Sequence, residues 1–380
     1  MRLRSCVAIE LAVGTVVAAA CAGAAMWGLS ELRALDSREA RADGMPLASA
    51  TTTATATRSR PEPAREPAAD AAPPAAAPVG ESHPSDTPPW MGVFGGKPDQ
   101  ALLAPLRETA ITAVKFNRGG TSISLRFDFE NGARAACKPS QIHIHSQPRR
   151  EIAAYRINRL LGLSSVPPAV GRRFRFSDIV DHLREPTHRK RVIAEGAPEK
   201  DGTVLAELSW WIPVLEEARI QGFAIDSTDG VVTWKRYLAQ GRPVPEDATG
   251  IVSQISQLVL FDFVINNADR WSGGNVKASE DGRVLYFMDN TMSFGDDDNG
   301  HTKTRTYFER AQKFSRSMVA RLRTLDREEL QEALATDIEP FEYLLTDPEI
   351  KSVLARRDYA MRYIDHLIEV HGEEAVLVFP

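Results

Sequence analysis

Two strand-like runs, residues 122–129 and 133–138, open the ordered pattern, with Ile123, Leu125, Phe127 and Phe129 at every second position. A period of two lines one face of a sheet. Glu130-Asn131-Gly132 lies between the runs, and Asn-Gly predicts a hairpin. The period then lengthens. Residues 150–162 carry Ile152, Tyr155, Leu160 and Leu161 near one face of an amphipathic helix, which Gly162 stops. The apolar run from Leu258 also reads as helix and opens at Asn266-Asn267-Ala268-Asp269-Arg270. Beyond it, runs 275–278 and 283–288 flank Asp281-Gly282, which predicts two strands joined by a two-residue turn. The C-terminal part reads as helices over 313–322, 326–335 (capped by Asp326), 341–345 and 347–371. Ala355-Arg356-Arg357 interrupts the apolar face of the last one. A short amphipathic element over 102–111 precedes the first hairpin.

The N-terminal part is of a different kind. Arg2 and Arg4 precede an apolar segment, residues 7–29, broken only by Glu10. As a helix it spans ~34 Å at ~1.5 Å per residue, enough for a bilayer core. Basic residues ahead of such a segment hold the N-terminus in the cytoplasm and export the rest. An uncleaved signal anchor and a signal peptide cut near Ala18-Ala19-Ala20 both fit. Cys21 follows those alanines, but the leucine usual in a lipid-attachment box is missing. Residues 30–89 are mainly Ala, Pro, Thr, Ser, Arg and Glu. They offer too little apolar surface to offset ordering entropy, which predicts a disordered tether. The globular part is therefore residues 90–380.

Composition narrows the class. The chain is 43% hydrophobic and 26% charged with net charge −5, which suits a globular domain and gives no support to nucleic-acid binding. Cys6 and Cys21 lie in the export segment, so Cys137 alone remains for the domain and no disulfide forms within it.

Asp269, Asn275 and Asp289 come from a loop, a strand start and a strand end. Phosphoryl transfer from ATP needs such a set: one carboxylate to take the acceptor's proton, and a carboxylate plus an amide oxygen to hold divalent metal. Asp269 reads as the base, and Asn275 and Asp289 as metal ligands. The plainer alternative is that Asp269 and Asn267 cap and turn the chain. Gly119-Gly120 ahead of the hairpin lets backbone amides approach phosphates, although a simple bend needs the same residues. Lys138 ends its strand after three small residues and, facing inward, would reach the α/β-phosphates; a solvated lysine at a strand end is the plainer alternative. Glu151 lies in a first helical turn, where the dipole favours a carboxylate; its functional reading is to pair with Lys138 or contact metal. An adenine-facing hinge falls near residues 211–214, with Ile212 toward the nucleotide; adjacent tryptophans before a proline also suit core packing. His143 and His145 have no carboxylate or thiol at ligand spacing and read as loop residues. The basic stretch 178–200 reads as a solvated face, or as a surface for an anionic substrate beside the cleft.

Four separated motifs carry a resemblance. They are Ala136-Cys137-Lys138-Pro139; Glu151-Ile152-Ala153-Ala154-Tyr155 with Arg159-Leu160-Leu161-Gly162; Val166-Pro167-Pro168-Ala169-Val170-Gly171-Arg172; and Asn267-Ala268-Asp269-Arg270 with Met288-Asp289-Asn290 and Phe294-Gly295. In this order they resemble the secretory-pathway kinases, the family with sequence similarity 20. The resemblance implies an α+β, atypical two-lobed protein-kinase-like fold. Its small β-rich N-lobe would span about residues 90–208 and its mainly helical C-lobe about 214–380. It also implies Lys138 and Glu151 on the phosphates and metal, Asp269 as catalytic acid/base, and Asp289 as metal ligand. The sequence departs from the family at Trp271-Ser272-Gly273-Gly274, where two histidines and the residues after them are replaced. Asn275 also stands one residue further from Asp269 than the corresponding amide of typical protein kinases.

The reading that results is an ATP-dependent phosphotransferase using Mn²⁺ or Mg²⁺ and acting on a hydroxyl of an exported protein or glycan. The catalytic domain would lie outside the cytoplasm, anchored to a membrane or secreted. Assembly as a homo- or hetero-dimer is left open. A pseudokinase that binds nucleotide and activates a partner, and a lipid or small-metabolite kinase of related fold, are the competing readings.

Overall fold

A computed structural model of the protein describes Pro88 and residues 90–117, 120–272 and 274–380. The export segment, nearly all of the Ala/Pro-rich linker, and Gly119 lie outside the described residues.

The first part of the domain is a five-stranded antiparallel sheet. Its strands are β1 (Ile111–Phe116), β2 (Leu125–Phe129), β3 (Arg134–Pro139), β4 (Ala169–Arg175) and β5 (Thr203–Trp210), in spatial order β1-β2-β3-β5-β4. β2 begins later than the sequence pattern suggests, because residues 122–124 lead into the strand without joining it. The β2–β3 connection is the expected hairpin, with Gly132 at φ 81° where the turn requires a left-handed residue. Lys138 on β3 stands directly opposite Glu207 on β5, so both side chains share one face of the sheet.

Helix α1 (Asp99–Arg107) packs against β4 and β5, as does α2 (Pro148–Leu160). Proline at the first position and Gly162 at φ 74° just past the end bracket α2. The expectation of an amphipathic α2 needs correction. Every residue from Ile152 to Leu160 is buried, including Arg156 and Arg159. Arg159 pairs with buried Asp99 at 2.7 Å, and Arg156 donates to the carbonyls of Ala333 and Asp337, both at 2.7 Å. Charged residues that look solvated in the sequence instead pin this helix on two sides. The basic stretch folds into α3 (Phe176–Asp181) and α4 (Pro186–Glu195), with Arg189 paired to Asp181 and Arg191 to Glu195.

The second part is mainly helical: α5 (Thr228–Leu238), α6 (Thr249–Ile265), α7 (Thr302–Glu309), α8 (Arg316–Thr324), α9 (Arg327–Ala335), α10 (Asp347–His371) and α11 (Glu373–Val376). A three-stranded sheet of β6 (Glu216–Glu217), β7 (Val276–Ala278) and β8 (Leu285–Phe287) runs in the order β8-β7-β6. The β7–β8 pair is the predicted hairpin, but its turn is longer than two residues. Ala278 pairs with Leu285, and Ser279 closes the loop through Val284. No helix forms over residues 341–345; Phe341 instead packs its ring against Gly171, where a Cβ would come within 2.9 Å of it. α10 is continuous through Arg356, which is wholly buried rather than an interruption of the packed face.

The helical segment Glu246–Ile265, which contains α6, is long and apolar enough to cross a membrane, yet α6 is buried from Leu258 to Ile265. In this position it is a core helix whose end delivers the candidate site.

Candidate active site

α6 ends at Asn266, whose left-handed backbone (φ 59°) turns the chain out of the helix. Its Oδ1 accepts from the His301 amide at 2.7 Å and the Thr304 hydroxyl at 3.2 Å, which fixes that turn. Asn267 is buried and accepts the Asp269 amide at 3.2 Å, while its Nδ2 donates to Asp289 O and Asn290 Oδ1, each at 3.2 Å. The loop is thereby tied to the end of β8.

Arg270 is the knot beneath it. Wholly buried, it meets both Asp262 carboxylate oxygens at 3.1 Å through Nε. It also reaches Asn275 O at 3.0 Å, Met288 O, and Asn290 Oδ1 at 2.5 Å. Burial pushes the Asp262 carboxyl up to about 6, and the Arg270 guanidinium limits that rise. One buried cation thus locks α6, the loop and both strands of the hairpin together.

The acids stand on this base. Asp269 is half-buried and receives the Asn275 amide, whose Nδ2 lies 3.0 Å from its carbonyl and 3.1 Å from Oδ2. Asp289 adopts a left-handed backbone (φ 55°), rare for a residue with a side chain. Its Oδ1 accepts Lys138 Nζ at 2.5 Å and the Thr291 hydroxyl at 2.9 Å. Among the described residues, no hydrogen bond reaches Asp289 Oδ2 or Asn275 Oδ1. Burial works against the Asp289 charge, but Lys138 holds its carboxyl below the ordinary carboxylate range. Burial likewise opposes the Lys138 charge, and Asp289 and Glu151 together more than offset it, raising the ammonium above its usual value.

Glu151 lies 3.5 Å from Lys138 Nζ, the pairing read from the sequence. Both its oxygens are also held by Asn290: Oε2 accepts the backbone amide at 2.7 Å and Oε1 accepts Nδ2 at 2.9 Å. It sits behind Asp289, and a metal contact would share oxygens already bonded to Asn290.

Asp269, Asn275 and Asp289 line one cavity of about 230 Å³, with Gly120, Ser122, His143 and His145 on its other walls. A larger cavity of about 450 Å³ lies beside the outer strand β1, away from these acids. Ile212 is half-buried in the segment after β5 and lines neither cavity. Trp271, where the sequence departs from the family, packs with Trp234 and Tyr307 at ring distances of 5.3 and 4.9 Å.

Sequence reasoning missed Asn290, Asp262 and Glu207, and it read the two histidines only as loop residues. Asn290 had a usable signal, since it directly follows Asp289 in a motif already singled out. Asp262 and Glu207 sit inside apolar runs, where an isolated acid is itself a sign of a buried partner.

No family model matches the chain. Among curated human proteins it is 22% identical to the extracellular serine/threonine protein kinase FAM20C, with 73% of this chain and 56% of that protein covered. It is also 22% identical to glycosaminoglycan xylosylkinase, over 73% and 77% of the two chains. The chain thus spans little more than half the length of FAM20C. The crystal structure of the Golgi casein kinase with Mn/ADP bound matches at TM-score 0.55 and 17% identity, over 73% of this chain and 78% of that one. Hydra Fam20 with sugar matches at 0.54 and 18%, over 72% and 90%. The fold is therefore the two-lobed Fam20 kinase fold, and in sequence and architecture this chain resembles the FAM20 kinases.

Proposed function

We propose that the domain is a metal-dependent kinase that transfers the γ-phosphate of ATP to a hydroxyl of an exported protein or glycan. The observation that carries this reading is the convergence of Asp269, Asn275 and Asp289 on one cavity, with Lys138 against Asp289 at 2.5 Å. Both acceptor classes are represented among the relatives, one named a serine/threonine protein kinase and the other a glycosaminoglycan xylosylkinase.

The donor set suits a hard divalent cation such as Mn²⁺ or Mg²⁺. Asp289 Oδ2 and Asn275 Oδ1 are oxygen atoms without hydrogen-bond partners among the described residues, and such ions take one or two protein oxygens plus the phosphates. Asp289 and Asn275 would hold the ion, with Glu151 fixing Asp289 through Asn290 and Lys138. When bound, the ion neutralises charge on the phosphates. Lys138 binds the phosphates from the sheet side, and Gly120 brings a backbone amide to them. Ile212 faces the adenine in the segment that joins the two parts. Asp269 takes the acceptor's hydroxyl proton as its oxygen attacks the γ-phosphorus; the bond to the β–γ bridging oxygen breaks and ADP leaves. The Asn275 amide orients the Asp269 carboxylate for that task. Residues 1–29 export the domain and anchor it or are cleaved, and residues 30–89 hold it away from the membrane.

The test uses labelled ATP, Mn²⁺ or Mg²⁺, and panels of proteins and glycans. Asp289→Ala should lose metal-dependent nucleotide binding together with transfer. Asp269→Ala should keep metal–ADP affinity while transfer falls ~10²–10⁴-fold, the usual contribution of a positioned acid/base. Wild-type protein that binds Mn–ADP but phosphorylates no acceptor, with Asp269→Ala indistinguishable from it, would establish a nucleotide-binding module instead.

A further inference from the structure

Residues 140–147 form a strap beside the cavity that holds Asp269 and Asp289. Ile142 and Ile144 point to solvent, 64% and 78% exposed. His143 and His145 line the cavity. The strap is held at several points: the Gln141 side chain brackets Ile123 through its amide at 2.6 Å and its carbonyl at 3.0 Å, the Ile142 amide reaches Glu195 O at 2.8 Å, and the Ser146 amide reaches His143 O at 2.9 Å. The last of these bonds closes a turn over residues 143–146, with His143 and His145 on the cavity wall and the isoleucines toward solvent. Burial of apolar area would favour the isoleucines. Instead His143 is half-buried, and His145 lines the same cavity from an exposed position.

Two further observations say what they meet. Nδ1 of His143 is buried with no hydrogen-bond partner among the described residues, and such an atom usually has a ligand or water. Among the described residues, neither lysine nor arginine lines this cavity, although it contains two carboxylates. A phosphoryl group in transit spreads negative charge over three equatorial oxygens and needs donors on the side away from the metal ligands. Among the described residues, the two imidazoles are the nitrogen side chains that line the cavity besides the Asn275 amide, and that amide already donates to Asp269.

We propose that His143 and His145 are catalytic residues that donate hydrogen bonds to the transferring phosphoryl group. They act where charged guanidinium groups serve other phosphotransferases. The assignment rests on the kinase reading above. The histidines form no bond to phosphorus and take no proton from the acceptor; they stabilise the group while it passes from ADP to the acceptor oxygen.

The test compares Mn–ADP with Mn–ADP plus aluminium fluoride, a mimic of the phosphoryl group in flight, in the full chain. Wild type should bind the second combination more tightly. In the double variant His143→Ala/His145→Ala that gain should vanish, kcat should fall ~10²-fold, the order expected for a lost oxyanion donor, and Mn–ADP affinity should stay within about twofold of wild type. The variant His143→Asn/His145→Asn, which keeps an N–H donor on each side chain, should recover part of both. An unchanged gain with aluminium fluoride, at intact Mn–ADP affinity, overturns the histidine assignment and leaves the kinase reading standing. A parallel loss of Mn–ADP affinity in the double variant also overturns it, because the pair then serves ground-state nucleotide or metal binding. Wild-type protein that binds no Mn–ADP overturns the kinase reading and this assignment with it.

Discussion

Glu151 holds Asn290 with both carboxylate oxygens, at 2.7 Å to the backbone amide and 2.9 Å to the side-chain amide. This joins helix α2 to the residue after Asp289, so the position of the helix and the position of the candidate metal ligand are one variable. Asn290→Ala should remove Nδ2, leave part of a buried carboxylate unsatisfied, and destabilise the domain by roughly 3 kcal/mol. Asn290→Asp keeps the shape and the acceptor for Arg270 but sets a carboxylate against Glu151. It should be the more damaging of the two at neutral pH, and acidification should narrow the gap. Thermal unfolding across a pH series checks both; equal, pH-independent losses would show that Glu151 does not depend on this partner.

Arg356 does comparable work from the opposite side. It donates to Val264 O at 2.9 Å, Gly295 O at 3.1 Å and Asp297 O at 2.7 Å, which ties α10 to the end of α6 and to the chain after Asp289. A lysine cannot span three carbonyls. Arg356→Lys should therefore cost on the order of 3 kcal/mol and speed amide exchange around residues 294–298 more than in α8 or α9. Exchange that rises evenly through the domain would mean that Arg356 supports the fold without any particular hold on this segment.

Acid should weaken the contact between α2 and the start of α10. Glu349 accepts from Arg149 at 2.9 and 3.0 Å, from Arg150 at 2.7 Å and from the Thr346 amide at 2.7 Å. Burial alone would raise its carboxyl, but Arg149, the Thr346 amide and Arg150 lower it to about 2. A depressed carboxylate contributes stability that is fully present above its unfolded value near 4.5 and disappears as pH falls toward about 2. Glu349→Gln should be less stable than wild type at pH 7, and the two melting curves should converge between pH 4.5 and 2. Curves that stay parallel over that interval would remove Glu349 from the acid response.

Much of this arrangement was legible in the sequence. A strand within the run 122–129, a helix before Gly162 and a helix ending at Asn266 all form, because each is dominated by one period and a clear stop signal, although the strand starts only at Leu125 and the helix before Gly162 is buried all round. Asp269, Asn275 and Asp289 were drawn to one place by the hairpin between the last two, and they do share a cavity. What the sequence hid were polar residues whose partners are distant in the chain. Arg156, Arg270 and Arg356 look like surface charges, yet each is buried against backbone carbonyls supplied by other elements. Residues 341–345 have helical composition, but tertiary packing of Phe341 on Gly171 takes precedence over that local preference. His143 and His145 are indistinguishable from loop residues until the strap is seen to face the acids.

Glu207 provides the last prediction. It is 1% exposed, stands opposite Lys138 across the β3–β5 ladder, and receives the Ser209 hydroxyl. Lys138 already has Asp289 at 2.5 Å and Glu151 at 3.5 Å, so a third carboxylate on the same face is in excess of the available positive charge. Burial, followed by the charge on Glu151, pushes the Glu207 carboxyl well above the ordinary range, although Ser209 and Lys138 pull the other way. A carboxyl raised on folding is favourable to the fold while protonated, and that contribution fades as pH rises above the unfolded value near 4.5. Glu207→Gln keeps the size and the acceptor for Ser209 and cannot ionise. It should match wild type near pH 4 and become progressively more stable than wild type as pH rises, with the advantage read as a widening difference in Tm. If Glu207 were instead a charged partner that Lys138 needs, Glu207→Gln would be the less stable protein at every pH above 5, and its affinity for Mn–ADP would fall with it. The direction of the Tm difference at pH 8 decides between a neutral acid buried beside the lysine and a third arm of its ion pair.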